Sequence, residues 1–443
     1  MMGVRNRLFL AVCGMFLCVC GAEAPGQSVG DMSSDATRFD SRAIVVLGYL
    51  EHHQGLIAGV RWPKVAFAVG DGTLLLTAAH CVDDFQEPAA QAVSTDIVVI
   101  SPYYGDVFRF DVVAIDKEAD VAILRAPWRS HPALALATEE ELAAAKKILI
   151  AGRPQTVRRV SPDLQTELLS VSRIDESVPS EAVSLTGTRL VAKGWSGSAM
   201  LVAETGNVAG VLTKLRQQMS RWAWFSYVSQ SEVLGCSIRS VYSLLREHGL
   251  EAAALGRPVN LEAVADSERG FLLAIRYFQA LFESDRARAV AAAEELTTLR
   301  PRSVQAHLLA AVGVSTVSMK KEVSGTLSEE QFNSAEASYA KALSIDPNNA
   351  QAHALYGNLL IVRGRTPEAL AHSDAALAVD PNNRLALFNR MRLIPPAQRK
   401  DIAERLVAVD PRNPLHWYYY SEALLMLGEK DDALRAAQKA AGH

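Results

Sequence analysis

The spacing of apolar positions along this chain changes near residue 40 and again near residue 250. Between about 41 and 235 the apolar residues come in short runs rich in Val, Ile, Phe and Thr. Examples are Ala43–Leu47, Val65–Val69, Thr73–Thr77, Asp96–Ser101, Val107–Ile115 and Val121–Leu124. Gly, Asp and Pro separate these runs, which predicts short strands joined by turns, as in an all-β barrel or sandwich. Asp71-Gly72 predicts a tight hairpin between two of them. Ala199–Val202, Glu204–Asn207 and Val208–Thr213 read as strand, turn and strand, while 231–248 has helical spacing and is expected to close the region. Beyond 250 the composition shifts to Ala, Leu and Glu with helical periodicity. The pattern predicts a multidomain chain, with an all-β unit over 41–250, a linker over 251–265 and an all-α unit over 266–443.

The helical part repeats itself. Asp346-Pro347, Asp380-Pro381 and Asp410-Pro411 each end a predicted helix, at intervals of 34 and 30 residues. Between the first two lie Leu355–Leu359, Gly364-Arg365 and Pro367–Leu370, and Trp417–Leu427, Gly428 and Asp432–Leu434 repeat the outline. Small residues let paired helices approach and proline stops each unit, so the region resembles the tetratricopeptide repeat. Leu299–Pro301 marks an earlier unit and 319–330 reads as an insertion, for about five units in all. The resemblance implies a curved solenoid that binds peptides or a protein partner, with Tyr356, Asn358, Arg363, Arg390 and Arg392 as candidates to face its groove.

Residues 1–24 read as a secretion signal: Arg5 and Arg7, an uncharged apolar run from Leu8 to Val19, then Gly21, Ala22 and Ala24. That run is short for a membrane span, so contact with a membrane is expected only if the segment stays uncleaved or Cys20 is lipidated. The expectation is export, to a bacterial periplasm or the exterior. Residues 25–40, rich in Gly, Ser and Asp, read as a flexible leader.

At 443 residues the chain is long enough for two to four domains, and 49% hydrophobic with 21% charged content describes a globular protein. A net charge of −4 gives no reason to expect nucleic acid. Of five cysteines, Cys13, Cys18 and Cys20 fall in the signal, leaving Cys81 and Cys236 and at most one bridge. Cys81 reads as a small buried hydrophobe. His52-His53 has no partners at ligand spacing and reads as a loop, and neither metal nor cofactor is expected.

Three segments carry chemistry. Thr77-Ala78-Ala79-His80-Cys81 presents a histidine after small residues, Asp120–Leu124 presents a carboxylate at the start of a strand, and Gly194-Trp195-Ser196-Gly197-Ser198 presents a serine between glycines. A serine hydroxyl needs a neighbouring base, and that base needs a carboxylate to fix its tautomer. Asp116 is the rival carboxylate, and Asp120 is preferred because it directly opens the strand. A lipase-type nucleophile turn would need glycine two residues after the serine and a helix beyond, whereas Ser198 and a strand stand there.

The order His80, Asp120, Ser196 and these motifs resemble the trypsin-like proteases, in the bacterial HtrA/Deg-like style. The resemblance covers 41–235 and extends to Gly210–Thr213, matching the strand that lines the cleft, and Phe225–Val228, matching the last core strand. It implies a double β-barrel with Ser196 as nucleophile, His80 as general base and acid, and Asp120 as its orienting group. The N–H groups of Gly194 and Ser196 are expected to form the oxyanion hole, and Thr213 to hydrogen-bond the Asp120 carboxylate. Leu190, Val191 and Leu212 are expected to wall a specificity pocket for small or apolar side chains, which the Arg216–Trp224 loop could reshape. Trp195 and Ser198 depart from the usual residues of the serine turn. The expected function is a serine endopeptidase acting on proteins or peptides, with repeats that recruit substrates or partners. The alternative is a catalytically inactive, protease-like scaffold.

Overall fold

The computed structural model describes residues 39–53, 56–83, 93–155, 162–188, 190–192, 194–222, 225–259, 261–315, 327–411 and 413–442. The expected signal, nearly all of the leader and most of the 319–330 insertion lie outside them.

Two antiparallel sheets build the β-rich part. The first contains β1 (Ile44–His53), β2 (Leu56–Val69), β3 (Leu74–Thr77), β4 (Val93–Ser101), β5 (Asp106–Arg109), β6 (Asp111–Asp116) and β7 (Val121–Arg125), in the order β5-β4-β1-β2-β3-β7-β6. Its edge strands β5 and β6 are joined through Phe110 alone, so the sheet must curl until its edges come close. The second is a closed barrel of β8 (Lys147–Gly152), β9 (Gln165–Ile174), β10 (Val183–Thr186), β11 (Ala199–Val202), β12 (Val208–Trp222) and β13 (Phe225–Ser237), in the order β10-β13-β12-β11-β8-β9. The Asp71-Gly72 hairpin joins β2 to β3, with Asp71 Oδ1 accepting from the Thr73 N–H at 2.9 Å.

Three local readings are corrected. Residues 231–237 are strand, because β13 pairs with β12 on one side and β10 on the other; after the short helices α1 (His80–Asp83) and α2 (Glu139–Ala144), the closing helix α3 runs only from Ile238 to Glu247. His52-His53 is the end of β1, paired with β2 and β4, and not a loop. Of the stretch read as a 216–224 loop, 216–222 extends β12 in its pairing with β13, and 223–224 lie outside the described residues.

The all-α part contains five helix pairs among the described residues. They are α5 (Ser267–Phe282) with α6 (Arg286–Leu299), α7 (Val304–Ser315) with α8 (Glu329–Ile345), and α9 (Ala350–Val362) with α10 (Thr366–Val379). After these come α11 (Arg384–Leu393) with α12 (Lys400–Val409), and α13 (Pro414–Met426) with α14 (Lys430–Gly442). The Asp-Pro signals work by capping. Asp346 and Asp380 follow the last turns of α8 and α10 and accept from the N–H groups of Asn348 and Asn382 at 3.2 and 3.1 Å. Asn349 and Asn383 then cap the next helices by accepting from Ala352 and Ala386 at 2.9 and 3.0 Å.

Each of the groove candidates is engaged within the array. Asn358 is 1% exposed. The Tyr356 hydroxyl donates to Glu336, Arg363 lies over the Phe332 ring and bonds the Leu327 and Ser328 carbonyls, Arg390 pairs with Asp374, and Arg392 lies over Phe388.

Strand and helix parts share one core. Val46, Val98, Ile100 and Val107 of the first sheet cluster with Phe271, Leu273, Tyr277 and Phe278 of α5. The described residues of 251–265, read as a linker, are fastened to the β-rich part. Within them, α4 (Glu251–Ala254) accepts the Asp71 N–H at 2.9 Å through the Ala253 carbonyl, and the Val259 N–H donates to Ser130 Oγ at 2.9 Å. Phe278→Ala, which empties a site 1% exposed, should therefore destabilise the whole chain by about 3–5 kcal/mol in chemical denaturation. A loss below about 1 kcal/mol would mean that the seam is loose.

Candidate active site

Small residues place His80. Ala78 and Ala79 are buried flat at the end of β3, and the chain then turns through α1 (His80–Asp83). Thr77 pairs with Ala122 across the β3–β7 ladder, which brings the start of β7 beside the histidine turn. Asp120 occupies that start with a φ of 55°, a left-handed conformation that Asp tolerates better than most residues. Its carbonyl accepts from Ala79 N–H at 3.1 Å, its Oδ1 from His80 N–H at 2.9 Å, and its Oδ2 lies 2.8 Å from His80 Nδ1. A carboxylate can only accept, so Nδ1 carries the proton in this pair and Nε2 is the ring's other nitrogen. Asp116, by contrast, closes the β6–β7 turn by accepting from Glu118 and Ala119 N–H groups, both at 2.9 Å.

Glycine builds the serine turn. Gly194 and Gly197 have φ of 100° and 86°. A Cβ at 194 would fall 1.7 Å from the Gln155 carbonyl oxygen, and one at 197 would fall 2.2 Å from Val65 O and 2.4 Å from Thr77 Oγ1. The second contact matters for assembly: the serine turn seats directly on the strand that leads into His80. The turn's N–H groups alternate in use. Trp195, Gly197 and Ser198 donate to Ala192, Leu212 and Trp195 carbonyls, whereas among the described residues Gly194 and Ser196 N–H make no backbone hydrogen bond. Those two are the donors that an oxyanion hole needs.

Several expected roles are placed differently. Thr213 does not hydrogen-bond the Asp120 carboxylate; its hydroxyl donates to the Ser180 carbonyl at 2.6 Å and reaches that of Leu234 at 3.2 Å. The reason is a bulge between Leu212 and Lys214, which re-aims this residue. Its own carbonyl instead accepts from Ser196 Oγ at 3.3 Å, and that hydroxyl makes no hydrogen bond to His80 among the described residues. Val191 and Leu212 are 6% and 2% exposed and belong to the core, so of the three expected pocket walls only Leu190, at 56%, presents its side chain to solvent. Trp195 is 2% exposed and fills the same core. Ser198 Oγ is buried and has no hydrogen-bond partner among the described residues.

Sequence reasoning missed Glu167 of β9. Its carboxylate accepts from the N–H groups of Leu190 and Val191 and from Thr188 Oγ1 at 2.8–3.2 Å, fastening the segment that leads into the serine turn. A lone glutamate on a strand carries no local signal for such a role.

Burial acts to lower the His80 pKa, but hydrogen bonds to Asp120 and to the Cys81 sulfur, 3.8 Å from Nε2, push it up to about 10. Cys81 and Cys236 are both free and buried, so no bridge joins them; burial pushes the Cys236 thiol up to about 12.

A family model of the trypsin-like peptidase domain matches residues 65–211, and two tetratricopeptide repeat models match 326–388 and 400–442. No curated protein matches the chain. Similar solved structures include MamA, 15% identical with a TM-score of 0.31 over 38% of this chain and 92% of that one. The HtrA-type protease AlgW, a serine-to-alanine variant with a tripeptide, is 18% identical with a TM-score of 0.34 over 49% of this chain and 64% of that one. The inactive form of a serine-to-alanine mutant of Rv3671c from M. tuberculosis is 19% identical with a TM-score of 0.31 over 47% of this chain and 87% of that one. The chain carries a trypsin-like peptidase domain followed by tetratricopeptide repeats.

Proposed function

We propose that this chain is an exported serine endopeptidase that uses His80, Asp120 and Ser196, and that its repeats recruit protein or peptide substrates or a protein partner. The observation that carries the reading is the clasp of Asp120 on His80. Two hydrogen bonds from one residue to one carboxylate, 2.9 Å from the backbone and 2.8 Å from Nδ1, fix the ring and its tautomer, so that Nε2, now 3.8 Å from Cys81 Sγ, is the nitrogen that would take the serine proton. Ser196 attacks the scissile carbonyl as Nε2 takes its proton; the tetrahedral oxyanion is held by the N–H groups of Gly194 and Ser196; His80 then protonates the leaving amine. Ser196 must first turn from the Thr213 carbonyl, a side-chain rotation of the picosecond-to-nanosecond class.

That same Ser196–Thr213 bond favours the second reading, a protease-like scaffold with an idle serine. Digestion of an unfolded protein such as casein separates the two. Cleavage by the wild type and none by Ser196→Ala supports the endopeptidase; equal, absent cleavage in a folded protein supports the scaffold. Export rests on the N-terminal pattern, and protein recovered outside the cytoplasm with a new N-terminus near residue 25 supports it.

A pH profile follows from the clasp. Only neutral His80 can accept the serine proton, so activity should rise with pH and reach its plateau well above the ordinary imidazole value of about 6.5. The stability sign runs the other way. Because the folded pKa is raised, the pair's contribution is complete below about pH 6.5 and is lost as pH climbs toward about 10. Asp120→Asn should move the activity limb downward in pH, and an unmoved limb would contradict the assignment.

A further inference from the structure

Arg153 follows β8, whose Ala151 pairs with Ala199 just beyond the serine turn. It is 8% exposed and spends its guanidinium entirely on backbone carbonyls: Nε donates to Ile44 at 2.9 Å, an Nη donates to Ser41 at 3.4 Å, and the other donates to Pro162. The guanidinium carbon also lies 5.2 Å from the ring centroid of Phe271, on α5, the first repeat helix. Burial lowers its pKa to about 10, yet the group remains a cation at neutral pH. Asp163 also favours the charge, and the Phe271 face adds to it, so the seat of this buried cation depends in part on that face staying in place.

The other end of the same short segment touches the serine turn. Gln155, 1% exposed, donates through Nε2 to the Arg153 carbonyl at 2.6 Å, and its N–H donates to the Gly194 carbonyl at 3.2 Å. The Gln155 carbonyl oxygen also occupies the space where a side chain at 194 would stand. A chain of buried contacts therefore runs from Phe271 through Arg153 and Gln155 to Gly194, the residue whose own N–H, on the neighbouring peptide, is a candidate oxyanion donor.

We propose that Arg153 is a positioning residue for the oxyanion turn, and that the seat of the first repeat helix against Arg153 sets how well that turn is formed. This rests on the endopeptidase reading for its chemical consequence. The repeats are then more than a tether: a partner that shifts α5 changes the reactivity of Ser196. Both ends of the segment are hydrogen-bonded and nearly solvent-free, so a displacement of the guanidinium cannot be absorbed by water. A misplacement of order 1 Å at a reacting site lowers rates by about 10²-fold.

The test compares Phe271→Leu, which keeps an apolar filler but removes the aromatic face, with Arg153→Lys, which keeps the charge but loses the fork. Phe388→Leu is the matched control, since it removes an equivalent arginine–aromatic contact with Arg392 far along the array. The readout is labelling by a fluorophosphonate probe, resolved into the rate at saturation and the half-saturating concentration, alongside the melting temperature. The expected result is a fall of about tenfold or more in the saturated rate for Phe271→Leu and Arg153→Lys, with half-saturation unchanged and Phe388→Leu at the wild-type rate. Lower melting temperatures with an unchanged saturated rate would overturn the proposal while leaving the endopeptidase reading intact. If the wild type itself is not labelled, that reading fails, and hydrogen exchange at the amides of 194–198 decides the coupling. Faster exchange in Phe271→Leu than in Phe388→Leu supports it; equal exchange overturns it.

Discussion

Asp120→Asn should slow acylation or phosphonylation of Ser196 by about 10⁴-fold while leaving the fold intact. The fold should survive because Asn, like Asp, tolerates the φ of 55° at this position. Reactivity should not, because the carboxylate accepts both from His80 N–H and from Nδ1. An amide offers one acceptor and one NH₂ donor; accepting from the backbone turns the donor toward Nδ1 and selects the tautomer with the proton on Nε2. That tautomer has no lone pair on Nε2 to take the serine proton. Labelling rates at fixed pH, with circular dichroism as a check on folding, give the answer. A loss of less than about tenfold would remove Asp120 from the chemistry.

Gly194→Ala should lower the same rate by about 10²–10³-fold, the effect of losing an oxyanion donor. The added methyl meets the Gln155 carbonyl oxygen at 1.7 Å, and the φ of 100° is one that alanine resists. The turn cannot relax toward Gln155, whose N–H is already bonded to Gly194 O at 3.2 Å, so the peptide must flip or the segment must part. Strain of about 1–3 kcal/mol should appear in the melting curve as well. Wild-type labelling by this variant would mean that the 194 N–H has no part in the reaction.

The elements that could be read from the chain are those with local causes. Val65–Val69 and Val121–Leu124 lie in strands because branched residues alternate between turns, and the Asp-Pro pairs end helices because Asp caps and Pro cannot continue. The histidine and aspartate motifs were legible for the same reason: small residues and a strand start dictate where His80 and Asp120 sit. What was not legible depends on pairing across long separations. The 231–237 segment has helical spacing, yet its two strand neighbours decide its state. The Thr213 hydroxyl is redirected by a bulge, Trp195 becomes core, and Glu167, Arg153 and Gln155 act through partners distant in sequence. The shared core of sheet and α5 has no signature in either half alone, because each face is apolar for reasons that suit an isolated domain as well.

On the proposed mechanism Ser196 is an activated nucleophile although its hydroxyl rests on the Thr213 carbonyl. The direct measurement is labelling of the purified protein by a fluorophosphonate probe, beside Ser196→Ala, with the modified residue located by mass spectrometry. The expected result is a single adduct on Ser196 that is lost in the alanine variant. A folded wild-type protein that takes no label, or takes it elsewhere, would contradict it.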